Sequence, residues 1–375
     1  MNISEFVTKK TIISVISGSE TKTVKAAGEF IPVEIFVSNE QRRVAEIVID
    51  FTVNFVLAYL GLATNTIVVM VFARQGFKDS VAVSMTVIAF WDFLKCLGAA
   101  AQRLSGPISL ASPVIAQSWT NISVVVFNYI ISFSTYVSSV LAGYVAVERC
   151  LCVSIPFKVK WLITPKVTLC LCVTISVVVF GCFMVIFFVY DILWVYSEKY
   201  NATLAVYVYN DFFYSNAGPL FQYYNLSGIC WPTSSLVVIV VSTVIIAYHL
   251  KKSTHFRSMT AGHAHTAQTQ KQLSTRDRQV VKMLLVVIGA YIVNLSPRII
   301  HYTVKYFIYE FYFLRLYHNV FMVMTYILPV FDLTHAAINL FIFYPMSSSF
   351  RATFWDIFGC TKTEIPKRQV SKSMS

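Results

Sequence analysis

GYVAVERCLCVSIPFKVK, residues 143–160, ends a long apolar run in an acid–base pair, Glu148-Arg149, and follows it with Pro156, Lys158 and Lys160. Ion pairs of this kind are ordinary on a soluble helix. Here the neighbouring stretches are as apolar as the run itself, and that decides the solvent. The 375 residues are 57% hydrophobic and only 13% charged, whereas soluble domains are about half apolar and about a quarter charged. Such a chain cannot cover itself with polar surface, so the lipid bilayer is its expected surroundings.

Crossing the bilayer core takes about 20 mostly apolar residues in helical form. Seven stretches qualify, at about 46–73, 81–104, 120–150, 166–190, 231–251, 278–304 and 318–344. Continuous apolar character over these lengths favours helices over alternating barrel strands. The expected fold is an all-α membrane protein, a seven-helix bundle over 46–346. Residues 1–45 read as a polar tail, 347–360 as a short amphipathic helix and 361–375 as a basic tail. The apolar part of TIISVISG (11–18) is short and serine-rich, so it belongs with the tail rather than with a signal peptide.

The net charge is +12, an excess that membrane proteins carry on cytoplasmic loops. No basic, aromatic surface suited to nucleic acid accompanies it. Arg74 and Lys78, then Lys158, Lys160 and Lys166, then Lys251, Lys252, Arg257, Lys271, Arg276 and Arg278 fall on one set of connections, joined by the basic C-terminal tail. The opposite set holds only Arg103, Lys199, Lys305 and Arg315. The expectation is a multi-pass plasma-membrane protein with its N-terminus outside and its C-terminus inside. Three glycosylation acceptors, Asn2, Asn201 and Asn225, fall on the expected outer side. Most of the eight cysteines lie within apolar runs, which is not a disulfide framework. The loop histidines His255, His263 and His265 suit a solvated loop rather than a metal site, and no cofactor is expected.

Ionisable residues inside a span are expensive and mark function by default. They are Asp92, Lys95, Glu148, Arg149, Arg298 and Asp332. Asp92 and Lys95 stand three apart on one helix face, where they either neutralise each other or serve separate roles. Arg149 either pairs bidentately with Asp277 at the start of span 6, latching spans 3 and 6, or snorkels to headgroups.

The motifs, in order, resemble the rhodopsin-like family of seven-helix G-protein-coupled receptors over roughly residues 46–360. GLATN supplies the span-1 asparagine, Asn65; IAFWDFL the span-2 aspartate, Asp92; and ERCLCVSIPFKV the acid–arginine pair Glu148 and Arg149 with Pro156. Tyr248 before Lys251-Lys252 matches span 5, Pro297 the span-6 kink, and Asn339 in HAAINLFIFYP the span-7 asparagine. The loop-1 to span-2 stretch QGFKDSVAVSMTVIAFWD is similar to molluscan chemosensory and FMRFamide-like peptide receptors. The resemblance implies an extracellular ligand, a heterotrimeric G protein, and arrestin and receptor-kinase partners. It also implies a palmitoyl anchor at Cys360, and Glu148, Arg149, Asp277, Tyr248, Pro297, Asn339 and Asp92 as switch residues. The chain departs from the pattern at Leu340 and Phe343 in span 7, at Cys150, and at Val124. At Val124 the family has a cysteine bonded to the second outer loop, so Cys230 lacks its usual partner.

The amine-receptor aspartate is replaced by Ile131 and the retinal-receptor lysine by Leu333, so neither ligand is expected. Arg103, Arg298, Tyr302 and Lys305, with Asp332 as a counter-charge and Ile131 on span 3, are the candidate ligand residues. An arginine fork in a low-dielectric site suits a carboxylate, as on an amino acid, an organic acid or a peptide terminus. Alternatively, Arg298 is satisfied by Asp332 and touches no ligand. No catalytic constellation is evident, so an enzyme is not expected. The rival from another class is a transporter or channel, which requires a polar track across the bilayer.

Overall fold

The computed structural model describes residues 14–16, 23–25, 32–77, 79–155, 159, 161–260 and 289–359. Among them, six helices are long and apolar enough to cross a membrane: Asn39–Gln75, Ser80–Ala111, Pro113–Ser154, Pro165–Phe188, Asp211–His249 and His318–Pro345. A further helix covers 289–307, within the stretch expected as span 6. The result is an all-α bundle carrying a small four-stranded sheet at one end: the β-hairpin between spans 4 and 5, joined at its edge by the short antiparallel strands Ser14–Ile16 and Thr23–Lys25, which lie within the stretch expected to be a polar tail. That end is called the hairpin end below, and the opposite one the Arg149 end.

Several boundaries differ from expectation for local reasons. Span 1 starts early because Ser38 closes a capping box with Gln41, and a π-helical stretch, Glu46–Val53, joins the first turns to the helix Asn54–Gln75. Span 3 starts at Pro113, capped by the Ser112 hydroxyl. Span 4 ends as α-helix at Cys182 and tightens to 3-10 over Met184–Phe188. The connection 191–230, which the span bounds leave as a long loop, is ordered as strand and helix. Its first half alternates aromatic and β-branched residues and forms the antiparallel strands Tyr190–Ser197 and Ala202–Tyr209, with Tyr190 opposite Tyr209. Its second half is already span 5, which begins at Asp211 instead of about 231 and is irregular at Asn216.

That last correction changes two residues. Asn225 lies within the span-5 helix at 1% exposure, out of reach of a glycosylating enzyme. Cys230 is an unbonded cysteine inside the same helix rather than near its end.

Phe133, Tyr136, Leu141 and Phe183 form the largest apolar cluster, between spans 2, 3 and 4. Spans 1 and 2 approach closely because Gly61 has no side chain: a Cβ there would stand 2.4 Å from the Cys96 Sγ. The Asn65 Nδ2 exploits that approach, donating to the carbonyls of Gly61 (2.8 Å) and Ala336 (3.0 Å). After span 7, the helix Ser348–Ile357 folds back under span 1, its Phe350 buried against Phe72 and Phe343.

Candidate functional site

Burying a charge in this bundle costs several kcal/mol unless it is paired, so the partners of each ionisable group define the site. Asp92 is fully buried. Its Oδ1 accepts from the Lys95 Nζ (2.8 Å) and the Ser138 hydroxyl (3.0 Å), and its Oδ2 from the Asn339 Nδ2 (2.8 Å). The two charges neutralise each other, and the same carboxylate ties spans 2, 3 and 7 together.

Arg298 and Asp332, 5% and 1% exposed, form an ion pair between spans 6 and 7, and the guanidinium carbon lies 5.5 Å from the centre of the Tyr136 ring. Of the two alternatives open for Arg298, the structure takes the internal counter-charge. Arg103 is also committed within the protein: its Nη2 pairs with the Asp50 carboxylate, its Nε donates to the Asp50 carbonyl (2.9 Å) and its Nη1 to that of Ala99 (3.1 Å). It holds span 2 to span 1 and offers nothing to a ligand. Ile131 is packed into an apolar cluster with Ala99, Ala100 and Leu333, so it too is core rather than a ligand contact.

Lys305 is the exception. At 8% exposure it has no carboxylate within ion-pair distance among the described residues. Four rings surround its Nζ instead: Tyr312 at 4.7 Å, Tyr224 at 4.9 Å, Tyr302 at 5.4 Å and Phe221 at 5.8 Å. Cation–π attraction to a desolvated ammonium is worth about 2 kcal/mol, against a desolvation cost of several. Spans 5 and 6 come together here because Gly228 leaves room for the Tyr302 ring, and the Tyr302 hydroxyl meets that of Tyr224 at 3.0 Å. Nearby, the Tyr136 hydroxyl, the Arg298 Nε and the His301 Nδ1 are buried without hydrogen-bond partners. Burial raises the phenols of Tyr207, Tyr209 and Tyr312 above their ordinary range, so these rings stay neutral.

The hairpin covers this end and is moored to span 3 without a disulfide. The Asn121 Nδ2 donates to the Ala205 carbonyl (2.8 Å), the Ala205 amide donates to the Ser118 hydroxyl (3.2 Å), and the Tyr129 and Tyr190 hydroxyls meet at 2.7 Å. Two consequences are measurable. Reducing agent should leave ligand response unchanged, and Ser118→Ala with Asn121→Ala should weaken it about tenfold or more, each lost bond being worth about 1 kcal/mol. A reductant-sensitive response would contradict this mooring. Asn201 sits exposed at the hairpin tip with a φ of 48°.

At the Arg149 end, Glu148 is fully buried. Its Oε1 accepts from the Arg149 Nη2 (2.9 Å) and from the Ser80 hydroxyl, while its Oε2 and the Arg149 Nε have no partner. Arg149, 27% exposed at its side chain, borders a largely apolar cavity of about 120 Å³ lined also by Ile239, Tyr291, His335, Asn339 and Phe343. Tyr248 does not join it: at 62% exposure it faces out of the bundle. Pro297 lies within the continuous helix over 289–307, where it supplies no backbone N–H and the Ser296 hydroxyl donates to the Ile292 carbonyl (2.6 Å). Asp277, Pro156, Cys360 and Asn2 lie outside the described residues.

Sequence reasoning missed Asp50, Ser80, Ser138, Phe221, Tyr224 and Tyr312. Among 21 tyrosines and 30 phenylalanines, no local signal separates cage rings from membrane-facing ones. Asp50, an acid just inside a span, was the one member with a readable signal.

A family model described as "Serpentine type 7TM GPCR chemoreceptor Srw" matches residues 52–361. The chain belongs to that family of seven-helix G-protein-coupled chemoreceptors.

Proposed function

We propose that this chemoreceptor works at the plasma membrane with its hairpin end and N-terminus outside, responds to a carboxylate-bearing cue bound near Lys305, and activates a heterotrimeric G protein at its Arg149 end. The observation that carries the proposal is a buried lysine without a counter-charge among the described residues at one end, and a partly unpaired arginine on a cavity wall at the other. The two ends are linked. Arg298–Asp332 joins span 6 to span 7, and Asn339–Asp92 joins span 7 to spans 2 and 3. A cue that binds one helix arrangement better shifts the population toward it by its differential affinity. Pro297, which removes one backbone hydrogen bond from span 6, gives it a place to bend, and Arg149 then exchanges Glu148 for the G protein. The rhodopsin-like resemblance supports this division of labour. Glycans on Asn2 and Asn201, a palmitoyl group on Cys360, and arrestin and receptor-kinase partners belong to the same proposal. The candidate peptide and amino-acid cues of the family resemblance are members of the carboxylate class.

The test is a second-messenger assay in cells carrying a promiscuous G protein, challenged with organic acids, amino acids and short peptides. Arg149→Ala, at equal surface expression, should lose at least ten-fold in signal while retaining cue binding. Solute-dependent current or uptake that survives Arg149→Ala would replace the receptor proposal with a transporter.

A further inference from the structure

Resting on the receptor proposal above, we infer that the cue is a monoanion: a monocarboxylate with an apolar or aromatic body, whose single negative charge completes the pairing of Lys305.

The charge balance of the bundle points to it. Among the described residues, the other buried charges of the spans are paired within the protein: Asp92 with Lys95, Arg298 with Asp332, Arg103 with Asp50 and Glu148 with Arg149. Lys305 alone among these buried charges has no carboxylate within ion-pair distance, and one negative charge from outside supplies it; the neighbouring Arg315 guanidinium is stacked on Tyr309 and Tyr312. A zwitterionic amino acid fits poorly. Its ammonium would enter a site where the buried carboxylate of Asp332 is already taken by Arg298. An amine fits worse, because the aromatic cage that would receive it is filled by the protein's own ammonium at 4.7–5.8 Å.

The walls set the rest of the chemistry. Phe221 and Tyr224 come from span 5, Tyr302 from span 6, and Tyr312 from the connection between spans 6 and 7. Their faces suit an apolar or flat body. Arg298 lies seven residues before Lys305, about 10 Å along the helix. The Tyr136 hydroxyl beside it is a buried donor without a partner, which a neutral oxygen on the far end of the cue satisfies without a second charge.

The test has two arms on the purified full-length receptor in detergent. In the first, Lys305→Met is compared with wild type without ligand. Removing an unpaired buried cation should raise the melting temperature. A fall of several degrees would show that Lys305 already has a counter-charge and would overturn the inference. In the second, a library of carboxylic acids spanning chain lengths and ring sizes is screened by thermal shift beside the matching amides, amines and amino acids. Stabilising compounds should be monocarboxylates, losing at least ten-fold in affinity in Lys305→Met and keeping part of it in Lys305→Arg. Hits among amines or amides, acid hits indifferent to Lys305→Met, or an acid arm as silent as the amide arm would each overturn it. Neither arm uses a G protein. Acid binding without a second messenger would therefore sink the signalling proposal alone, and signalling evoked by amines would sink only the monoanion.

Discussion

Asp332→Leu should nearly empty the cell surface of receptor, and adding Arg298→Met should restore most of it. The single change leaves a guanidinium at 5% exposure with no carboxylate, against the face of Tyr136. Breaking a buried pair from one side costs about 3–5 kcal/mol, whereas replacing both partners by apolar groups of similar size is often neutral. With total stabilities of about 5–15 kcal/mol, the single variant falls among chains that quality control removes. The measurement is surface labelling together with detergent melting temperature for the two singles and the double. If Asp332→Leu alone reached the surface at wild-type level, the ion pair would not be holding spans 6 and 7. If the double variant also bound acids normally, Arg298 would be confirmed as a structural tether rather than a ligand residue, as its pairing indicates.

The second large effect is expected at the other buried pair. Lys95→Met strands the Asp92 carboxylate at the meeting point of spans 2, 3 and 7 with only the Ser138 hydroxyl and the Asn339 amide to hold it. A loss of about 3–5 kcal/mol is expected. Asp92→Asn on the same chain should rescue it, because a neutral amide accepts and donates in the same place. The pattern to look for is a melting temperature that falls in each single variant and recovers in the pair. Additive losses would show that the two groups do not depend on each other, and the account of this junction would fail.

The two pairs differ in how visible they were beforehand. Asp92 and Lys95 are three apart, and helix geometry alone puts such residues on one face. Their contact was therefore readable once the apolar run around them was recognised as a span. Arg298 and Asp332 are on different spans, as are Arg103 and Asp50. The sequence supplied the charges but two possible assignments for Arg298 and the wrong one for Arg103. Which acid meets which base depends on the rotation of each helix about its own axis, and a motif does not set that angle. Tyr248 shows the same limit: its position before two lysines matches the family, yet its side chain faces outward. The start of span 5 was misplaced because FFYSNAGPLFQYYNLSG is too polar and aromatic for a hydropathy criterion, although it folds as helix when packed against spans 3 and 6.

The sequence by itself determined the solvent, the helical form of the spans and their approximate number, and the charge-bearing residues that a membrane protein retains only for a reason. Those conclusions rest on transfer free energies and on distances along one helix, which are local. Only the tertiary structure decided which charges are spent on each other, that hydrogen bonds to span 3 moor the hairpin, and that among the described residues Lys305 has no carboxylate partner and sits within four rings from three separate segments. Pairing in a low-dielectric interior is settled by angstrom-scale distances between residues far apart in the chain, and those distances exist only after the helices pack.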